Sequence, residues 1–583
     1  EERQVIVRNV ATGAAHGMRV GDIKVRDVRW ASPDHLLIVT SATATILNVI
    51  APKSEWRMVG LYNIKTQKMV RLLRDVENGL NVLSGSTSNR TFEGKPVVFA
   101  EGVRFDSTGR GRMALFRIEL DQGKSKLVHE GFATTRDWLV GTDGQPMAEN
   151  EYEPKSGQWV LKVRDGKTWR ELKAGSSLHE PPYLMGLGRA ANSILVAEPQ
   201  EDGVLVREVG PDGAWGQAVM PAGAAPIRDP ADERLIGHVQ LFGDDLRYTF
   251  FEPRDQSAWK KVVAAYPGES VSLVSWSADR KKLIVLVDSP TEGPAYALVD
   301  LTTGRATWIG AQHAGLAKGD LAPVRTLSYK ATDGLELSGY LLTPNGRPAK
   351  GLPLVVMPHG GPAVRDTRGF DWMAQALASR GYAVLKVNFR GSDGFGRAFK
   401  EAGYGQWGRK MQTDLSDGVR HLAAQGVIDP KRVCIVGASY GGYAAVAGAA
   451  FDRGVYRCAG SYGGITDLTR MAPWLQSNSR VYGRRQLIRM VGATDPKDPV
   501  MAQISPAQHA AQIDIPILLI HGRDDTVVPF EQSRVMAEAL TKAGKPVELV
   551  SLPGEDHWLS RGDTRLQMLT ATVAFLEKHN PPN

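Results

Sequence analysis

Gly437-Ala438-Ser439-Tyr440-Gly441 constrains this chain more than any other segment. It follows the apolar run Val433-Cys434-Ile435-Val436 and precedes the small-residue stretch Gly442-Tyr443-Ala444-Ala445-Val446-Ala447. A strand that turns sharply into a helix around G-x-S-x-G is a nucleophile elbow. The serine occupies a strained turn, and glycines on either side let neighbouring backbone pass closely. Its hydroxyl then projects beyond the strand, beside helix N–H groups suited to a developing oxyanion. In a chain with 62 glycines the pentapeptide alone is weak, so its context decides.

The context agrees. Ile515-Pro516-Ile517-Leu518-Leu519-Ile520 reads as a buried parallel strand and empties into His521-Gly522-Arg523-Asp524-Asp525-Thr526-Val527-Val528-Pro529. A second apolar segment, Val547 to Leu552, runs into Pro553-Gly554-Glu555-Asp556-His557-Trp558. Nucleophile, acid, then histidine, each just after a strand, is the chain order of α/β-hydrolases. Histidine titrates near neutrality, and a carboxylate behind it fixes its tautomer and stabilises the imidazolium. Upstream, Pro353 to Pro358 leads into His359-Gly360-Gly361-Pro362, where such folds place the second oxyanion donor.

Taken together, His359-Gly360-Gly361-Pro362, Asn388-Phe389-Arg390-Gly391-Ser392, Gly437 to Tyr443, His521-Gly522 with Asp525 and Val528-Pro529, and Asp556-His557 resemble the prolyl oligopeptidase family. The resemblance covers about residues 323–580 and is strongest to the acylaminoacyl-peptidase and dipeptidyl-peptidase branches. It implies a serine peptidase for short peptides, with a β-propeller preceding the catalytic domain and no cofactor or metal. It implies the triad Ser439, Asp525 and His557, and an oxyanion hole from the N–H groups of Tyr440 and Gly361. The family's acid stands four residues after the motif histidine and four before the proline, which selects Asp525 over Asp524.

The N-terminal half has another texture. Residues 20–310 offer short β-rich runs broken by Gly, Asp and Pro turns, with almost no helical periodicity. Leu61 to Lys68 resembles Leu298 to Arg305, and Glu119 to Lys124 fits the same hairpin frame. Trp plus Asp before an apolar run appears at Trp30-Asp34 and again at Trp276-Asp279. Degenerate units of about 40–45 residues favour a propeller of roughly seven blades, with two stacked sandwiches as the alternative. The boundary is expected at Ala322-Pro323, giving an all-β domain over 1–322 and an α/β-hydrolase domain over 323–583. Beyond it, a hairpin closed at Asp333-Gly334 gives way to alternating strands and helices, including helices over 411–424 and 530–543.

Composition adds exclusions. The 583 residues are 42% hydrophobic and 23% charged, without an apolar stretch near 18 residues, so no membrane span is expected. The net charge of +8 is scattered rather than blocked, which argues against a nucleic-acid footprint. Cys434 and Cys458 read as small buried hydrophobes rather than a disulfide framework. The chain opens at Glu1 rather than Met, which fits a cleaved signal peptide or a trimmed start. A periplasmic or secreted location is therefore expected, with the cytoplasm as the alternative.

For specificity, Ile465, Leu468, Val527 and Val528, with Tyr440, are candidates for an apolar S1 pocket, or simply for core. A dipeptidyl peptidase must anchor a cationic amino end with acids. Relatives of that kind carry a glutamate run after a Trp. Here Asp137-Trp138 is followed by Leu139-Val140-Gly141-Thr142, and acids appear only at Glu149, Glu151 and Glu153. Val527 also stands where those enzymes keep an Asn. The sequence therefore favours an acylaminoacyl- or oligopeptidase-type activity on peptides with a hydrophobic P1 residue. A dipeptidyl aminopeptidase, a carboxylesterase with the same triad, and a silent peptide-binding scaffold stay open.

Overall fold

The computed structural model describes residues 3–46, 52–200, 203–477 and 481–582. After an N-terminal hairpin (Arg3–Arg8 with Ala15–Gly21), antiparallel sheets follow one another along the chain. A four-stranded sheet spans Lys24–Ser32 to Lys68–Arg71, and a five-stranded one Gly79–Leu80 to Lys124–Glu130. Two four-stranded meanders follow, Thr135–Val140 to Thr168–Ser176 and Tyr183–Leu187 to Trp215–Met220. A three-stranded sheet ends at Asp245–Phe250, and a last four-stranded meander covers Ser270–Trp276 to Arg305–Ala311.

Among the described residues these blade-like sheets number six, not seven. Two features absorb the missing one. Residues 3–21 make only a hairpin. After the three-stranded sheet, Pro253–Ala264 forms a helix rather than a fourth strand. Proline at its start suits a helix opening, and Asp255, Trp259 and Val262 bury one face at helical spacing. That short amphipathic pattern was overlooked amid the β-rich runs. The three hairpin signatures hold: each joins two paired antiparallel strands.

By contacts the chain divides into two compact units. The first holds Glu1–Gln200, Val204–Ala222 and Ala231–Ile236; the second holds Glu201–Gly203, Gly223–Pro230 and Gly237–Asn583.

An eight-stranded sheet dominates the second unit. Its strands are β1 (Val324–Lys330), β2 (Glu336–Leu342), β3 (Leu352–Val356), β4 (Ala383–Asn388), β5 (Ile428–Ala438), β6 (Cys458–Tyr462), β7 (Ile517–Gly522) and β8 (Val547–Leu552). They lie in the order 1-2-4-3-5-6-7-8, antiparallel up to the β2–β4 pairing and parallel thereafter. Every residue of β3, β4, β6 and β7 is buried, as expected when helices cover both faces of a parallel sheet. Three of those helices matter below: α1 (Lys410–Ala424), α2 (Tyr440–Phe451) and α3 (Glu531–Lys542). No helix among the described residues is long and apolar enough to cross a membrane.

The cysteine expectation is corrected. Cys434 and Cys458 pair in register across β5 and β6, 4.8 Å apart at Cα, and form a disulfide. Their separation of 24 residues in sequence conceals this, because only the strand register brings them face to face.

Candidate active site

β5 ends at Ala438, and Ser439 turns the chain into α2 with φ 57° and ψ −118°. A left-handed conformation at a residue with a Cβ costs on the order of 1–3 kcal/mol and persists only where its surroundings enforce it. Here the enforcement is steric. A Cβ on Gly437 would sit 2.5 Å from the Gly441 carbonyl carbon, and one on Gly441 would sit 2.1 Å from the Pro358 oxygen. Only glycine at both positions lets strand, turn and neighbouring loop close on one another. The Ser439 N–H donates to the Tyr462 carbonyl at 2.9 Å, which ties the turn to the end of β6.

The loop after β3 lies against this serine. A Cβ on Gly360 would be 3.5 Å from Ser439 Cβ, and Gly361 follows with φ +108°. His359 anchors the loop from below: its ring hydrogen-bonds the Gly360 carbonyl (2.8 Å) and the Ser392 hydroxyl (2.9 Å) and stacks on Phe389. Burial pushes the His359 pKa below its ordinary value, so this ring is neutral. Tyr440 opens α2, so its N–H has no carbonyl partner within the helix. Its side chain is buried among Phe389, Trp407 and Tyr443.

The acid and the histidine meet directly. His557 Nδ1 lies 2.6 Å from Asp525 Oδ2. The N–H groups of Val527 and Val528 both donate to Asp525 Oδ1 at 2.8 Å. A second ring, His521, places Nε2 3.4 Å from Asp525 Oδ2 while bonding the Val528 carbonyl at 2.9 Å. Burial pushes the Asp525 carboxyl up, but hydrogen bonds from His521 and His557 outweigh it and hold its pKa at about 2. Asp525 is therefore an anion at any working pH. Asp524 is half-buried, and its backbone N–H donates to the Glu555 carbonyl at 2.9 Å.

β6 couples the two halves of the site. Tyr462 accepts from Ser439 N–H through its carbonyl and donates its hydroxyl to the Asp556 carbonyl at 2.8 Å. The next residue, Gly463, lies where a Cβ would be 3.3 Å from Asp525 Oδ2 and 3.5 Å from His557 Nδ1. The same short segment thus touches the serine turn and the Asp–His pair. Among the described residues the His557 ring's hydrogen bond goes to Asp525, and none joins it to Ser439 Oγ.

The four S1 candidates separate. Leu468 is wholly buried at the head of a helix, its N–H capped by the Ser505 hydroxyl at 2.8 Å, and Val528 is 2% exposed. Ile465 is buried at 8% exposure and Val527 is half-buried. His521, Tyr462 and Gly463 were missed as site residues. His521 served only as a motif marker, although a histidine at a strand's C-terminal end is itself a signal. Tyr462 and Gly463 sit beyond a strand with no motif of its own.

Residues 368–581 match the prolyl oligopeptidase family. The chain is 32% identical over 362 residues to dipeptidyl aminopeptidase BIII of Pseudoxanthomonas mexicana, covering 60% of this chain and 52% of that protein. It is 29% identical over 270 residues to the mouse (Mus musculus) acylamino-acid-releasing enzyme, covering 42% of this chain and 34% of that one. The chain thus spans about half, or less, of the length of these curated relatives. Among solved structures it resembles a puromycin-hydrolyzing peptidase of Mycobacterium tuberculosis, with TM-score 0.70, 21% identity, and 96% and 95% of the two chains covered. It also resembles the Pyrococcus horikoshii acylaminoacyl peptidase, with TM-score 0.69, 17% identity, and 99% and 90% covered. At these identities the structural matches establish the fold.

Proposed function

With residues 368–581 forming a domain of the prolyl oligopeptidase family of serine peptidases, we propose that this chain hydrolyses short peptides through an acyl-enzyme at Ser439, in the manner of an acylaminoacyl- or oligopeptidase. The observation that carries the reading is the 2.6 Å contact of His557 Nδ1 with an Asp525 held as an anion. With Nδ1–H engaged by Asp525, Nε2 is left unprotonated and takes the Ser439 proton as Oγ attacks the scissile carbonyl. The oxyanion that forms meets the N–H groups of Tyr440 and Gly361. His557 then passes its proton to the departing amine, and water repeats the sequence on the ester.

The S1 wall is assigned to Ile465 and Val527, backed by Tyr440, Leu468 and Val528. Such a wall leaves a charged P1 side chain without a partner, so Asp, Glu and Lys at P1 are disfavoured by roughly a hundredfold, about 3 kcal/mol. The acids that a dipeptidyl reading needs are already engaged. Thr135 Oγ1 donates to buried Glu149 at 2.8 Å, Lys162 pairs with Glu151, and the Lys155 N–H donates to Glu153 at 3.0 Å. Relatives carry both names, so the substrate test decides. A fluorophosphonate should label Ser439, and Ser439→Ala should lose nearly all turnover, leaving only a residual rate. Profiling the wild type with blocked, acylated and free chromogenic peptides should show acylated amino ends accepted as well as free ones. Labelling elsewhere ends the serine reading; collapse of kcat/KM on N-acetylation of a dipeptide substrate transfers it to the dipeptidyl class.

The disulfide supports a location in an oxidising compartment, the periplasm or outside the cell, because such bonds are rare where thiols are kept reduced. Thiol titration of the denatured, natively expressed protein should find none before reduction and two after it. Two before reduction would place the protein in the cytoplasm.

A further inference from the structure

The residue after the histidine is a tryptophan, and it is 66% exposed. Single exposed rings are common, Trp308 and Trp30 among them, so the meaning of this one rests on its place beside His557. The loop that carries it is fixed by hydrogen bonds. The wholly buried Glu555 carboxylate accepts from the N–H groups of Asp556 (2.8 Å), Ser560 (2.9 Å) and Arg561 (3.1 Å) and from the Thr564 hydroxyl. Trp558 N–H donates to Asp556 Oδ1 at 2.9 Å. Leu559 then adopts φ +52°, unusual for a leucine, with Arg565 bonding its carbonyl at 2.8 Å. That left-handed turn buries Leu559, at 8% exposure, in the core and leaves the larger Trp558 outside. Trp558 is also held in orientation, edge-on to the His557 ring at 5.3 Å between centroids.

Position supplies the ligand. The oxyanion donors stand on the side of Gly361 and Tyr440, whereas His557 protonates the leaving amine and so faces the departing half of the substrate. We propose that Trp558 is the specificity-determining residue for the leaving group, and that its free face receives an apolar or aromatic side chain on the residue after the scissile bond. The inference rests on the acyl-enzyme reading above. It concerns the departing half, which the S1 residues do not touch. Stacking between two aromatic rings is favourable beyond the area it buries, enough for roughly tenfold selectivity.

The test uses acyl transfer within one acyl-enzyme. A blocked phenylalanine p-nitrophenyl ester acylates Ser439 with release of nitrophenolate. An added amino-acid amide then competes with water. Its amine nitrogen bonds the acyl carbon and gives a proton to His557 Nε2; the ester C–O bond breaks, and Ser439 Oγ takes that proton. Because water and amine both use His557, their ratio cancels any general loss of base function. The wild type should transfer to phenylalaninamide roughly tenfold better than to alaninamide. Trp558→Ala should bring the two within about twofold, and Trp558→Phe should restore part of the preference. An unchanged preference in Trp558→Ala, no aromatic preference in the wild type, or a Phe variant no better than Ala overturns the proposal while the acyl-enzyme stands. Absence of any nitrophenolate burst, with Ser439→Ala behaving as wild type, overturns the acyl-enzyme reading itself.

Discussion

Asp525, in the α/β unit, and Glu101, on a strand of the antiparallel unit, are both buried carboxyls, yet they are pushed in opposite directions. Asp525 sits at about 2, because hydrogen bonds from His521 and His557 overcome burial. Glu101, at 2% exposure, rises to about 7. Burial dominates there. The N–H groups of Trp138 (3.0 Å) and Ser86 (2.8 Å) donate to it but do not compensate, and the nearby Asp137 charge adds to the rise. The difference lies in partners rather than depth. One acid is surrounded by groups that favour its charge and serves as a fixed anion; the other holds a proton near neutrality and serves to join strands.

The largest test of this contrast is removal of the fixed anion. Asp525→Asn should lower kcat by about 10⁴, since the amide no longer selects the correct His557 tautomer. Asp524→Asn should change it less than tenfold, because His557 Nδ1 is engaged by Asp525. The opposite ranking in steady-state kinetics would move the triad by one residue. In stability, Asp525 contributes above its ordinary pKa of 3.8, and that contribution is lost as pH falls from there toward 2.

Glu101 should act with the reverse sign. Its folded-state pKa, raised from 4.5 to about 7, means that folding takes up a proton between those values, so stability falls as pH rises through that window. The full displacement is worth roughly 3 kcal/mol. Urea midpoints at pH 5 and pH 8 should therefore converge in Glu101→Gln relative to wild type, with kcat/KM within about twofold. An unchanged gap between the midpoints would show that Glu101 titrates normally and would erase the contrast.

Legibility in the sequence followed where physical constraints are local. The serine turn is visible because Gly437 answers Gly441 within the motif itself, although Gly441 also answers distant Pro358, and Asp525 is visible because strand, turn and proline are contiguous. What depends on register is hidden. The Cys434–Cys458 bond exists because β5 and β6 are neighbours in phase, and Glu101 meets donors from Ser86 and Trp138 that no spacing rule connects. Blade counting failed because it divided a length by a repeat, whereas the first strands form only a hairpin and a 12-residue helix takes up chain after the three-stranded sheet. Leu468 looked like a pocket residue by its place after a strand, but it is wholly buried, its N–H bonded to Ser505, 37 residues later.

The smallest effect concerns the partner that Glu101 lacks. His521 Nε2 bonds a carbonyl oxygen, that of Val528, so Nε2 carries the hydrogen, and Nδ1 accepts from the Ser533 hydroxyl at 2.7 Å. The same Nε2–H also reaches Asp525 Oδ2 at 3.4 Å, the longer branch of a shared hydrogen bond. His521 is thus a positioning residue, holding Asp525 under His557 without touching substrate. His521→Gln keeps a donor within reach but loses the ring's fixed aim. A weakened bond to a charged group costs about 1 kcal/mol, so kcat should fall between about fivefold and tenfold with KM within about twofold. A matched loss in KM would point to a misplaced Val527 wall instead of a misplaced acid. A loss approaching that of Asp525→Asn would mean that the Val527 and Val528 N–H groups do not hold the carboxylate unaided. No loss at all would mean that they do, and that the low Asp525 pKa owes nothing measurable to the second histidine.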